Sequence, residues 1–432
     1  METPAAKMRI AWFSVLNSGM STPSPAAYFS DQVLEFLKER FEIELFHDSF
    51  ARYRDFPTYH YLCAAKRHKE KPYDLFFYQL EDGKASYFTR FHSALIPGVV
   101  LFHDFILSDF GPEPLLNSPW QQILSKFNNP ALPWPDRRGH FKQKGPQAYR
   151  EGGFSAAAVF SSERDHAEYK RLIELRLTGF KQPRSFFLPY PVAAKLSELS
   201  QTRRPRQKAW EIIYCGTPRI EHRAHKLLPA LKELGSKVKL TWLLGDETEK
   251  QAAGELLNEF ELKECNLLSG RSPQSWAGLL TKADIALHPL FSAYGQPGPY
   301  LAMSLMAGLP CIVSRFGATD YLPEELVFKI TPGEGEVMEI KSALTAIIED
   351  AVHFCPQAVS AYAYERHEAK KTAGELAWIF ESSRAELRLL LDKWAGFEAS
   401  ARCSVLEEVC AGIEKEAPSR VLKDAFKELG WL

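Results

Sequence analysis

Three stretches of this chain place side chains suited to phosphates and hydroxyls next to predicted strand ends. In Thr217-Pro218-Arg219-Ile220-Glu221-His222-Arg223, preceded by Gly216 and followed a turn later by Lys226, cations gather where an apolar run gives way to a helical pattern. Cations at a helix start oppose the macrodipole unless an anion answers both. Arginine suits such an anion because its planar fork grips two phosphate oxygens, whereas the charge of His222 would depend on pH. Without a ligand the same residues make a solvated basic first turn. In Gly295-Gln296-Pro297-Gly298-Pro299, ahead of the apolar stretch from Tyr300 to Ala307, glycines allow close backbone approach and prolines suit the first helical turn. The free N–H groups there could meet a phosphate, although such loops are also ordinary turn chemistry. His103 and Asp104 follow GVVLF, at what should be a strand's carboxyl end. A histidine there can hydrogen-bond a hydroxyl or the reacting centre, or it can be a satisfied structural residue.

Other polar strand ends read more plainly. Glu81-Asp82-Gly83, after YDLFFYQL, is expected to be a solvated turn that could also face an acceptor, and Ser161-Ser162-Glu163 is expected to cap a helix. Metal and nucleophile readings fail. His222 and His225 are too close for a zinc pair, His288 is flanked by apolar residues and proline, and neither G-x-S-x-G nor a Walker loop occurs.

The elements that must position these residues alternate. MRIAWFSV, EIELFHD, YDLFFYQL, GVVLFHD, AAAVFSS and SFFLPYP are short, apolar and end in polar turns, with helical stretches between most of them. SELSQTRRPRQK breaks the rhythm and reads as a linker over residues 197–208. A second series follows: WEIIYCG, KVKLTWLLG, ECNLLSG, ADIALHPL, LPCIVS and LVFKI. Strand–helix alternation implies parallel sheets covered on both faces, with ligands at the carboxyl ends of the strands. The expected organisation is an α/β protein of two Rossmann-like domains, residues 1–196 and 209–357, facing across a cleft. Residues 112–151 are rich in Pro, Trp and basic side chains and read as an insertion. Residues 358–432 look helical, the first part able to cross back to the first domain and the last a helical hairpin broken at Pro418.

Size and composition agree. At 432 residues the chain is too long for one ordinary core, and 45% hydrophobic with 25% charged residues excludes extensive disorder. A formal net charge of -1 gives no global attraction to nucleic acid. The cysteines are scattered, without a C-x-x-C pair, and several lie in apolar runs, which points to a reducing compartment. The start has too short an apolar stretch for a convincing signal peptide, and no segment approaches the roughly 20 apolar residues of a membrane span. The expectation is a cytoplasmic protein, with peripheral contact at the inner face of the membrane left open.

Four stretches in this order resemble the GT-B-fold retaining glycosyltransferases of glycosyltransferase family 4: MRIAWFSVLNSG, GVVLFHDFILSDF, IIYCGTPRIEHRAHKLLPAL and AYGQPGPYLAMSLMAGLPCIVSRFGATDYLP. The resemblance runs from Met8 to about Phe380. It implies a metal-independent transfer, with retention, from a nucleoside-diphosphate sugar to a glycan or lipid-linked acceptor, with no further cofactor. On it, Gly216, Arg219, His222, Arg223, Arg271, Gly295, Gln296 and Gly298 would hold the donor, with Arg223 the first choice for the diphosphate. His103 and Asp104 would stand at the reacting carbon, and Ser18 and Gly19 in a phosphate or acceptor loop. The sequence departs from the family in five places, one of them the loop from Asn17 to Thr22, where consecutive glycines are frequent and only Gly19 remains. Gln296 and Met303 stand near the usual glutamates, His222 stands where lysine is frequent, and Ser108 and Asp109 stand where further histidines are common. Two alternatives therefore stay open: a catalytically silent GT-B protein that binds a nucleotide sugar or a partner, and a sugar-nucleotide epimerase. Base, sugar, linkage and oligomeric state are not encoded legibly.

Overall fold

The computed structural model describes residues 7–16, 24–49, 51–107, 152, 155–176, 184–201, 209–262, 265–270, 272–292 and 298–413. Ser18, Gly19, Ser108, Asp109, Arg271, Gly295, Gln296, Pro418 and residues 112–151 lie outside them.

The first sheet contains β1 (Met8–Phe13), β2 (Phe41–His47), β3 (Thr58–His60), β4 (Leu75–Leu80), β5 (Val99–Phe102), β6 (Ala157–Phe160) and β7 (Arg184–Phe187). Its order is β3-β2-β1-β4-β5-β6-β7, and every pairing is parallel. The second sheet contains β8 (Trp210–Tyr214), β9 (Val238–Leu243), β10 (Cys265–Leu268), β11 (Ile285–His288), β12 (Cys311–Ser314) and β13 (Phe328–Ile330). Its order is β10-β9-β8-β11-β12-β13, again all parallel. Every residue of β1, β4, β5, β6, β11 and β12 is buried, which is why these strands read as unbroken apolar runs. Strand β3 was not anticipated; three half-buried residues carry no apolar signal.

In both sheets the strand order reverses once, between β1 and β4 and between β8 and β11. Such a switch point opens a crevice at the carboxyl ends, where ligands of this architecture bind. Four helices matter for the site: α1 (Pro25–Leu37), α2 (Glu163–Arg176), α3 (Ala224–Leu234) and α4 (Gly298–Met306). Two further helices, α5 (Glu336–Ile348) and α6 (Pro356–His367), precede the long α7 (Ala369–Ile413).

Helix α6 packs on α4 of the second half through Val359 and Ala363. The chain then crosses at a parallel bridge, Val192 with Glu368, and α7 lays Ala373, Leu376, Ala377, Ile379, Phe380 and Leu387 into the first core. Residues 405–413, expected in a separate hairpin, continue α7 without a break. Where the chain leaves the first half, a short 3₁₀ helix, Ala194–Ser200, takes up the start of the expected linker.

Candidate functional site

At the switch point of the first sheet, the positive end of α1 is occupied by the protein's own side chains. Ser24 caps α1, accepting from the Ala27 N–H at 3.1 Å, and donates to Glu81 at 2.5 Å. Glu81 also accepts from the Ala26 N–H at 3.1 Å. Its carboxylate therefore occupies the positive end of α1, and burial raises its pKa against those two hydrogen bonds. Glu81 is a helix cap, and the solvated turn expected from the sequence is not what forms.

Beside it, His103 is 1% exposed. The Gln79 amide, turned to satisfy all its neighbours, donates to His103 Nε2 at 2.8 Å and accepts from Trp12 Nε1 and from the Ser14 and Ser30 hydroxyls. With Nε2 an acceptor, the imidazole proton lies on Nδ1, 3.2 Å from the Tyr190 hydroxyl. Burial pulls the His103 pKa down to about 3, so the ring is neutral. Both nitrogens are engaged within the protein. Asp104 retains some solvent contact, but its carboxylate lies deep among protein atoms. Burial, assisted by the neighbouring Glu81, Asp82 and Asp165, raises it to about 7 against the hydrogen bond it accepts from the Asp82 N–H at 2.8 Å. Ser162, whose hydroxyl accepts from the Asp165 N–H at 3.2 Å, caps α2 as its sequence suggests.

The second switch point is more open. Leaving β8, Gly216 packs so closely on Tyr214 that a Cβ would overlap its hydroxyl, while the Gly216 carbonyl accepts from Trp242 Nε1 at 2.7 Å. A 3₁₀ turn, Ile220–His222, leads into α3, and the Tyr214 hydroxyl donates to the His222 carbonyl at 2.7 Å. Arg223 joins the turn to the helix in the left-handed region, at φ 61°. An arginine pays strain there, and Glu336 at the start of α5 holds it in place. Arg223 Nε lies 3.0 and 3.1 Å from the two Glu336 oxygens, and Nη2 closes a second contact. Glu336 is fully buried, and the Arg223 side chain is only 9% exposed.

Arg219 is the opposite case. Its side chain is 69% exposed, with only a 3.9 Å approach to Glu221. Of the two arginines in this loop, the fixed one is Arg223 and the available one is Arg219. Gly298 opens α4 at φ 60°, beside the seam between the halves. Met303, five residues on, is core. His288 is buried on β11, with Nε2 3.1 Å from the Ser304 hydroxyl.

Several residues of the seam carried no sequence signal. Arg223 lies 5.2 Å from the ring of Phe291, Phe291 stands 4.7 Å from Phe316, and Arg164 of α2 lies 5.7 Å from Phe316. This column links the loop of Arg219 and Arg223 to α2 of the first half. Glu163 pairs with Arg366 of α6 across the same seam. Tyr190 could have been suspected from its place after a strand end; Glu336 could not. Among the described residues, no cluster of His, Cys, Asp or Glu could hold a metal ion, and no helix is long and apolar enough to cross a membrane.

No protein-family model and no curated protein matches this sequence. Solved structures do match in fold. A sucrose-phosphate synthase from Thermosynechococcus elongatus is 12% identical with a TM-score of 0.63, over 88% of this chain and 100% of that one. Anabaena HepE, solved in complex with UDP-glucose, is 14% identical with a TM-score of 0.59, over 87% and 100%. WaaG, a glycosyltransferase involved in lipopolysaccharide biosynthesis, is 13% identical with a TM-score of 0.55, over 86% and 99%. The shared architecture is GT-B: two parallel-sheet, Rossmann-like halves with a helical C-terminal region.

Proposed function

We propose that this protein is a glycosyltransferase that takes a sugar from a nucleoside diphosphate and passes it to a glycan or lipid-linked acceptor, with retention and without a metal. One observation carries the reading. The second switch point presents an exposed arginine, Arg219, on a loop braced by the buried Arg223–Glu336 pair, within a fold whose relative HepE was solved with UDP-glucose. The first switch point, by contrast, is blocked to phosphate by Glu81. The leaving diphosphate belongs to the second half, where the exposed Arg219 guanidinium meets its developing charge. Arg219 makes the direct contact, and Arg223 positions the loop. Gly216, His222 and Gly298, with Arg271, Gly295 and Gln296, belong to the same donor side, and Ser18 and Gly19 to the acceptor side. His103 and Asp104 stand at the first-half wall of the reacting centre. Closure of the halves excludes water from the donor. The chain works in the cytoplasm, at the inner face of the membrane when its acceptor is lipid-linked.

A second reading, a silent GT-B protein that binds a nucleotide sugar without transfer, is favoured by the occupied nitrogens of His103 and the core position of Met303. A thermal-shift screen of UDP, GDP, ADP, dTDP and their sugars tests both. A ligand at 100 times its Kd adds about 2.7 kcal/mol of apparent stability. Stabilisation by one diphosphate, followed by turnover of its sugar, supports the transferase. Stabilisation without turnover of any donor supports the silent protein, conversion of a donor without acceptor would indicate an epimerase, and no stabilisation at all removes the nucleotide-sugar reading.

A further inference from the structure

We infer that the Tyr190 hydroxyl, held by His103, is the group with which the first half contacts a hydroxyl of the bound sugar, an inference that rests on the nucleotide-sugar reading above. The His103 imidazole cannot make that contact without giving up a partner, because Gln79 holds Nε2 and Tyr190 holds Nδ1. Of the two rings, that of Tyr190 is the one that reaches the seam. Tyr190 lines a cavity of about 90 Å³ between the halves, where Ser161, Ser162, Glu163 and Arg366 supply polar groups and the rest of the lining, including Leu301 and Leu305 of α4, is largely apolar. That is room for several waters, the size of a sugar's hydroxyl-bearing edge and not of a whole ring.

The bonding capacity fits. A phenol has one O–H and two lone pairs. His103 Nδ1–H takes one lone pair, and the Ser161 hydroxyl is the second partner. The Ser161 hydroxyl also donates to the Phe102 carbonyl at 3.2 Å, which holds it in place beside the phenol. With two of the phenol's three hydrogen-bonding positions taken, one is left for a sugar hydroxyl, which can both donate and accept. Burial keeps the phenol protonated, which makes it a hydrogen-bonding contact and excludes a base. The ring is fixed as well as the hydroxyl, since it stacks on His103 with centroids 5.6 Å apart. A neutral, tautomer-locked histidine behind a tyrosine is thus a device for orienting the phenol.

The test compares the dissociation constants of UDP, GDP, ADP and dTDP with those of their glucose, galactose and mannose conjugates, by calorimetry on the full chain. In Tyr190→Phe the diphosphate should bind within twofold of wild type, while the preferred conjugate weakens about tenfold, the loss of one hydrogen bond. A merely structural tyrosine would move both constants together or neither, and either pattern in a folded variant overturns the inference. Should Tyr190→Phe fail to fold, Ser161→Ala loosens the phenol while preserving its ring; a two- to threefold selective loss of the conjugate supports the proposal, and no loss overturns it. If wild type binds a diphosphate but no conjugate more tightly, this inference falls while the nucleotide site stands. If it binds neither, both fall.

Discussion

Two arginines four residues apart in one loop are predicted to behave oppositely. Arg219 is exposed, so Arg219→Ala should change the stability of the unliganded protein by no more than about 0.5 kcal/mol while removing stabilisation by the diphosphate. Arg223 is buried on Glu336, so Arg223→Ala should cost about 3 to 5 kcal/mol without any ligand, because it leaves a buried carboxylate unpaired. Urea denaturation with and without diphosphate separates the two; equal stability losses would contradict the assignment. Asp104 invites a test of sign. Its carboxyl ionises at about 7 in the fold against an ordinary 3.8. The native state therefore holds the proton more tightly, and the stability this contributes is complete below pH 3.8 and lost as pH rises through 7. Asp104→Asn, which keeps an acceptor for the Asp82 N–H, should be more stable than wild type at pH 8 and no more stable at pH 4. Parallel stability curves for the two proteins across that range would refute it.

At the scale of elements, the joints are as tightly specified as the strands. Gly308 ends the turn after α4 at φ 66°, and a Cβ there would stand 2.6 Å from the Pro356 carbonyl oxygen and 2.9 Å from Ser200 Cβ. One glycine thus lets α4, α6 and the 3₁₀ exit from the first half meet. Gly308→Ala combines left-handed strain with overlap and should cost about 1 to 3 kcal/mol, measurable as a lowered midpoint of chemical unfolding. The strands themselves were legible because parallel strands buried on both faces must be apolar throughout, and their polar ends then marked the crevice. The long-range partners were not legible. His103 meets Gln79 and Tyr190, 24 and 87 residues away, and Arg223 meets Glu336, 113 residues away. Sequence spacing reports which side chains share a strand end. It cannot report that a distant glutamate is bonded to one of them.

For the molecule as a whole, the two halves are joined where the chain crosses twice, and a buried histidine sits at one of the crossings, as others do inside each half. His367 Nδ1 lies 2.9 Å from the Tyr190 carbonyl beside the Val192–Glu368 bridge, and burial lowers its pKa to about 4 in spite of that hydrogen bond. Burial likewise brings His103, His288 and His92 to about 3 and His166 to about 4. In the unfolded chain each returns to an ordinary value of 6.5. Between 6.5 and these lowered values the unfolded state binds more protons, so stability from these groups is complete above 6.5 and is lost as pH falls. Asp104, Glu81 and Glu375, raised by burial, act in the opposite direction, but the five histidines, joined by His47, His60 and His225, which burial also lowers, outnumber them and leave a net loss. Stability measured by urea denaturation should therefore fall continuously from pH 7 to pH 4. His367→Gln, which keeps a donor near the Tyr190 carbonyl without a titrating ring, should lose less over the same range. A wild-type profile that is flat between pH 7 and 4, or a variant profile parallel to it, would show that protonation of buried histidines does not govern the joint between the halves.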